Sequence, residues 1–225
     1  MSLVRAGVWY DDESWSPART RDTKQRFADT GLVPLDMEPV MLTDDGDWGD
    51  RLVDVAAELG VRNVLVAGRT RDHAAATERF GELCDRAAPA GITMALEFLP
   101  IFGVRTLTEA LAIVTAAGRP NGGILVDALH LARSGGHPDD LAAVPPALLP
   151  YLQLADAPTD APDDLYDEAV HGRLLLGDGA LPLAALLAAV PAVPVSLELR
   201  SRALRDAYEP QRRAEVVLAS VAGLP

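Results

Sequence analysis

Cysteine is nearly absent from this chain. A single residue, Cys84, excludes an internal disulfide framework and any metal site built from several thiolates. Positive charge is also scarce. Lysine occurs once, at Lys24, and 20 basic residues face 33 acidic ones, giving a formal net charge of −13. A phosphate backbone would be repelled rather than steered in, which argues against a nucleic-acid partner. No apolar run reaches the length of a membrane span, and no basic segment followed by an apolar core opens the chain. These shortages fit a cytoplasmic protein with no membrane partner. Met1-Ser2-Leu3 is compatible with an added leader.

Apolar side chains are abundant. Hydrophobic residues make up 49% of 225 positions and charged residues 24%, enough to bury a sizeable core. They fall in a repeating pattern, a short apolar run followed by a loop and then an alanine- and leucine-rich stretch with helical spacing. The strand candidates are Ala6 to Tyr10, Leu32 to Val40, Val61 to Ala67, Ile92 to Pro100, Gly123 to His130, Tyr151 to Ala157 and Val193 to Leu199. The helix candidates are Trp48 to Leu59, Asp72 to Ala88, Thr106 to Ala117, Asp139 to Leu149, Leu181 to Val190, and a terminal helix starting near Pro210. Gly60, Gly91 and Gly118 stand where helices should stop. Alternation of strand and helix predicts a parallel sheet with helices outside, and no linker splits the chain, so one domain is expected over residues 1–225.

Alternate residues of a strand face opposite sides. Met94, Leu96 and Phe98 share one face, with Thr93, Ala95 and Glu97 on the other. Ile124, Val126 and Ala128 oppose Gly123, Leu125 and Asp127. Leu152 and Leu154 oppose Tyr151, Gln153 and Ala155, and Val195, Leu197 and Leu199 oppose Ser196, Glu198 and Arg200. Each strand has one apolar face and one smaller or polar face bearing a potential ligand. A closed barrel explains this, with outer faces against helices and inner faces at the axis. An open, doubly covered sheet predicts two apolar faces.

Four polar residues on four strands therefore point inward: Glu97, Asp127, Gln153 and Glu198. Three converging carboxylates repel one another and resist burial unless a cation joins them. All four offer oxygen, which favours Mn or Mg over Zn or Cu. A lone Glu in an apolar strand is more often an ion-pair partner than a ligand; four at corresponding positions make a stronger case.

Several segments, in order, carry a resemblance. They are Met94-Ala-Leu-Glu-Phe-Leu-Pro100, Gly123-Ile-Leu-Val-Asp-Ala-Leu-His130, Tyr151-Leu-Gln-Leu-Ala-Asp156, Arg173-Leu-Leu-Leu-Gly-Asp-Gly179 and Val195-Ser-Leu-Glu-Leu199. Over roughly residues 30–225 the chain resembles the sugar phosphate isomerase/epimerase family with the xylose isomerase-like TIM barrel. The resemblance implies a (β/α)8 barrel that binds Mn or Mg through Glu, Asp, His and Glu. Glu97, Asp127 and Glu198 match three of these ligands. Gln153 stands where the histidine is usual, and an amide oxygen is a weaker ligand than imidazole.

The resemblance also assigns His130 and Arg173 to the substrate. On spacing alone, His130 reads equally as a solvated loop histidine, whereas Arg173 reads as a surface arginine first. Gly177 and Gly179 match a family turn in which Leu176 replaces the usual proline. Asp156 reads as structural, holding loop amides or the arginine, and His171 is an additional pocket candidate. The implied activity is isomerisation or epimerisation of a sugar, sugar phosphate or related polyol through an enediolate, stabilised by the cation. Glu97 and Glu198 would carry protons on opposite sides of the substrate.

Only seven strands can be counted, because the run Ala6 to Tyr10 resembles the second family strand. A barrel without the first β/α unit has two open edges. Such a chain is a fragment of a longer product, an irregularly closed barrel, or a homodimer that covers the gap. Two further readings follow, a non-catalytic or degenerate sugar-binding relative and a metal-dependent dehydratase of an inositol- or shikimate-type ring. DNA repair by an endonuclease, which the superfamily also hosts, is rejected on the chain's four histidines and its net charge of −13. Trp9, Trp15 and Trp48 read as packing residues before sugar platforms, and Cys84 as a buried helical spacer. Glu38 is expected to pair with an arginine rather than face the pocket. The stretch Asp160 to Glu168 is expected to be a solvated loop near the mouth.

Overall fold

The computed structural model describes residues 5–47 and 49–224; Trp48 and Met1-Ser2-Leu3 lie outside them. The strands are β1 (Arg5–Trp9), β2 (Val33–Leu42), β3 (Asn63–Gly68), β4 (Thr93–Glu97), β5 (Gly122–Asp127), β6 (Leu152–Leu154) and β7 (Val195–Leu197). These seven pair in parallel, each with the next in chain order, and curl into a nearly closed barrel. Among the described residues, β1 and β7 have no strand on their outer edges. The seven-strand expectation therefore holds.

The long helices are α1 (Pro17–Thr30), α2 (Gly49–Leu59), α3 (His73–Ala87), α4 (Leu107–Ala117) and α9 (Pro210–Ser220). Short helices α5 (Ala128–Arg133), α6 (Leu165–His171), α7 (Leu183–Ala189) and α8 (Arg202–Ala207) complete the set. Their ends follow local chemistry. Thr106 caps α4 by accepting from Glu109 N, and Gly118 ends it with φ +62°, in the left-handed region where glycine carries no Cβ penalty. Ser16 caps α1 in the same way and Pro17 opens it. None of these helices is long and apolar enough to cross a membrane.

Burial follows the alternation. Met94, Leu96, Phe98, Ile124, Val126, Leu152 and Leu154 belong to one continuous core with α2, α3, α4 and α7 residues such as Leu52, Phe80, Ile113 and Leu186. Ala95, Leu125 and Tyr151 instead meet Leu35, Leu65, Ala67 and Leu99 in a separate cluster inside the barrel. The inner cluster fills the lower barrel, so polar residues higher on the same strands face the mouth.

Several sequence-based expectations need correction. The alanine-rich span Asp139 to Leu149 is two 3-10 turns, Pro138–Ala143 and Pro146–Leu148, because the Pro145-Pro146 pair cannot continue a helix. The helix α1 is not marked by hydrophobic periodicity; it buries only Thr20 and so lacks an apolar stripe. His130 is not a loop residue but sits buried in the first turn of α5, which Asp127 caps. Asp160 to Glu168 is not wholly a solvated loop. Asp164 caps α6 there, and Glu168 takes two hydrogen bonds from Arg133, 2.7 and 2.8 Å long.

The side chains of Arg133 and Glu168 are each only 5% exposed, so losing one partner strands a buried charge. Glu168→Ala is expected to lower folding stability by about 3 kcal/mol in urea unfolding, far more than a surface ion pair would. A change under about 1 kcal/mol would mean that α6 is not tied down by this bridge.

Candidate active site

Strand ends deliver the polar side chains. Glu97 is the last residue of β4 and Asp127 the last of β5; Gln153 is central in β6, and Glu198 follows β7 directly. Asp127 pairs in register with Gln153, and Gln153 with Ser196, so Asp127 and Gln153 share the inner face. The segment between β6 and β7 adds Arg173, which is 1% exposed and so is not the surface arginine that spacing alone suggested. Its backbone N–H donates to Arg200 O at 3.2 Å, and neighbouring Leu174 forms a bridge with Asp156.

Arg173 is the hub of the site. Nη1 lies 2.6 Å from Asp127 Oδ2, and Nη2 lies 3.0 Å from Glu198 Oε2. Nε donates to Ala169 O at 3.0 Å, and Nη2 approaches His130 Nε2 at 3.3 Å. A guanidinium can only donate, so His130 Nε2 accepts and its ring proton is assigned to Nδ1. Asp127 Oδ1 accepts from His130 N at 2.9 Å, which leaves both Asp127 oxygens engaged.

Electrostatics follow from burial. Desolvation pushes Glu97 well above the usual carboxylate range, with Glu198 and Asp127 adding repulsion. Burial raises Glu198 to about 8, against the pull of Arg173, and Glu38 to about 7 with help from Asp36. Asp127 goes the other way: burial opposes ionisation, but Arg173 and His130 hold its carboxyl below the usual range. Burial lowers His130 to about 4, so its 3.9 Å approach to Glu97 is a contact of a neutral ring, not an ion pair.

Above these groups lies a cavity of about 310 Å³. Its polar lining includes Glu97, His130, Arg173 and Glu198, together with Glu38 and Arg200. Asp127 and Gln153 sit beneath, off the lining. Glu38 corrects the expectation of an arginine partner: it faces the cavity and accepts from Gln153 Nε2 at 3.4 Å. The signal was available, because Asp36 and Glu38 flank the outer-core residue Met37 as ligands do on the other strands, although Leu35 beside them joins the inner cluster at a shift of register. Trp9 lines the cavity, while Trp15 packs against Tyr10 and donates to Thr20. His171 ends α6 and is not on the lining. Asp156 holds loop amides, accepting from Ala157, Gly177 and Leu181. A Cβ at Gly179 would collide with that carboxylate and with the Ala157 backbone, which explains a glycine there.

A family model described as the xylose isomerase-like TIM barrel matches residues 5–218. The chain belongs to that family. It is 30% identical over 207 residues to a 3-dehydroshikimate dehydratase of Pseudomonas aeruginosa, covering 83% of this chain and 32% of that protein. It is 33% identical over 124 residues to an inosose isomerase of Bacillus velezensis, covering 52% of this chain and 43% of that one. The chain thus spans about a third of the dehydratase and under half of the isomerase. A crystal structure of an IolI protein with a bound zinc atom superposes with a TM-score of 0.83 at 20% identity, over 97% of this chain and 87% of that one.

The donor set of this family barrel fits a divalent cation. Glu97, Asp127 and His130 each offer a ligand atom, all within 4.8 Å of one another. Glu97 Oε1 and Gln153 Oε1 are buried without a hydrogen-bond partner, an arrangement that a cation would satisfy. The amide nitrogen of Gln153 is turned to Glu38, which leaves its oxygen as the free end of the amide. Glu198 stands outside the tight trio, held by Arg173.

Proposed function

We propose that the pocket removes and returns a proton beside the carbonyl of a sugar, sugar phosphate or related polyol, with a divalent cation as cofactor. The outcome is isomerisation or epimerisation. The observation that carries this reading is the convergence of Glu97 and Glu198, from β4 and the end of β7, on one cavity over buried oxygens without partners. Glu97, Asp127, Gln153 and Glu198 would hold the cation, and an all-oxygen set of this kind favours Mg or Mn. When bound, such a cation stabilises the negative charge that grows on the carbonyl oxygen as the proton leaves.

The chain's own residues do the rest. Glu97 and Glu198 carry the proton, one accepting it from carbon and the other returning it. Burial raises both carboxyls toward the range where a proton can be held and released near neutrality. Arg173 keeps Asp127 ionised and fixes Glu198 in place. Neutral His130 and Arg173 stand at the cavity wall, placed to meet substrate oxygens. Leu99, Ile101 and Phe102 line the wall beside Glu97 and exclude water.

A second reading is supported by the Pseudomonas aeruginosa relative, which is named a dehydratase and whose match covers 83% of this chain. On this reading the same proton removal in this pocket is followed by loss of a hydroxyl from the next carbon, with the other glutamic acid protonating the departing oxygen. One experiment separates the two. A panel of ketoses, inosose and 3-dehydroshikimate is incubated with the protein and Mg or Mn in deuterated water and followed by NMR. Deuterium beside the carbonyl with the molecular formula kept is the expected result. Loss of water selects the dehydratase, and an inert panel overturns both readings.

A further inference from the structure

The pocket floor is acidic, but its rim carries a cation that the chemistry above does not use. Arg200 follows β7 and lines the cavity. Its guanidinium carbon lies 4.5 Å over the ring of Trp9, the last residue of β1. Trp9 is 47% exposed, so the stack stands at the mouth, across the seam between the two edge strands. Among the described residues, the Arg200 side chain makes no ion pair and donates no hydrogen bond, although Glu38 and Glu198 lie near enough to feel its charge. Arg173, the other arginine on the lining, is engaged with Asp127, Glu198, His130 and Ala169, which leaves one N–H for a substrate oxygen but no free two-point edge.

A guanidinium that stacks through its face keeps its in-plane N–H donors free. That edge matches two oxygens of a carboxylate or phosphate, the geometry in which arginine recognises anions best. The carboxylates on the floor repel an anion, so a negatively charged substituent is driven to the rim while its neutral carbonyl end enters. We propose that Arg200, held on Trp9, is an anchor for an anionic substituent, so that the substrate is a hydroxylated carbonyl compound bearing a carboxylate or phosphate away from the reacting carbon. For the reacting end this rests on the function proposed above; for binding it does not.

The test reads binding of compounds that need not react. Quinate, ribose 5-phosphate and uncharged myo-inositol are titrated calorimetrically into the protein, with and without Mg. At least one anion is expected to bind about tenfold or more tighter than inositol, with the advantage shrinking as salt rises. The quinate and ribose 5-phosphate arms distinguish a carboxylate from a phosphate. Arg200→Gln should bring the preference near unity, and Arg200→Lys should restore part of it. Arg19→Gln, which alters an exposed arginine stacked on Trp15 away from this cavity, should leave it intact. Equal binding of inositol, an unchanged preference in Arg200→Gln, or binding of neither anion overturns the proposal. An anion preference in a protein inert toward the whole substrate panel would sink the proposed reaction and leave the anchor standing.

Discussion

Arg173→Met is expected to lower the stability of the metal-free protein by about 3–5 kcal/mol, the usual consequence of stripping one partner from a buried ion pair. The side chain is 2% exposed and pairs with Asp127, itself fully buried, and with Glu198. Methionine fills much of the space but leaves Asp127, Glu97 and Glu198 crowded without a counter-charge. Their oxygens would have to be protonated or the strand ends would have to part. For a domain of this size the loss corresponds to a fall in Tm of about 10 °C. Arg173→Lys keeps the charge but cannot bridge two carboxylates with one planar fork, so an intermediate loss is expected. Added Mg or Mn should then raise Tm more in Arg173→Met than in the wild type, because an ion that binds only the folded form replaces the missing positive charge. Melting curves with and without the ion check this. An unchanged Tm in Arg173→Met would mean that the acids are neutralised in another way.

The same residues show why some of the architecture can be read from sequence and some cannot. The two-residue alternation in β4 to β7 separates an outer from an inner face without any tertiary information, and that put Glu97, Asp127, Gln153 and Glu198 in one interior. Glu38 obeys the same alternation. The register of β2 shifts against both β1 and β3, so its residues do not line up simply with the other ligand-bearing positions. Arg173 follows no periodic pattern. It is buried because a bridge between Leu174 and Asp156 carries its loop across the barrel mouth, and only the family resemblance pointed to it. α1 escaped because its helicity rests on the Ser16 cap and Gly31 stop rather than on an apolar stripe. The span Asp139 to Leu149 erred in the opposite direction, where alanine content outweighed two adjacent prolines that set the backbone.

Glu97→Gln and Glu198→Gln should each lower turnover by about 10²- to 10⁴-fold, the range assigned to a positioned acid or base. Glutamine keeps the shape and one oxygen donor, so ion binding should weaken without vanishing, and KM should move far less than kcat. The two variants should differ in one respect. If one glutamate removes the proton and the other returns it, a variant lacking the second still exchanges the substrate hydrogen with deuterated solvent without completing the conversion. Stability should change in the opposite sense for Glu97→Gln. Glu97 is buried, repelled by Glu198 and Asp127, and has one oxygen without a partner, so removing its charge relieves the metal-free protein. Its Tm without added ion should equal or exceed that of the wild type while activity collapses, as expected where a site is kept strained for chemistry. Should Glu97→Gln instead retain turnover, or unfold the metal-free protein, then Glu97 is a structural residue and the proton carrier must be sought among Glu38 and Glu198.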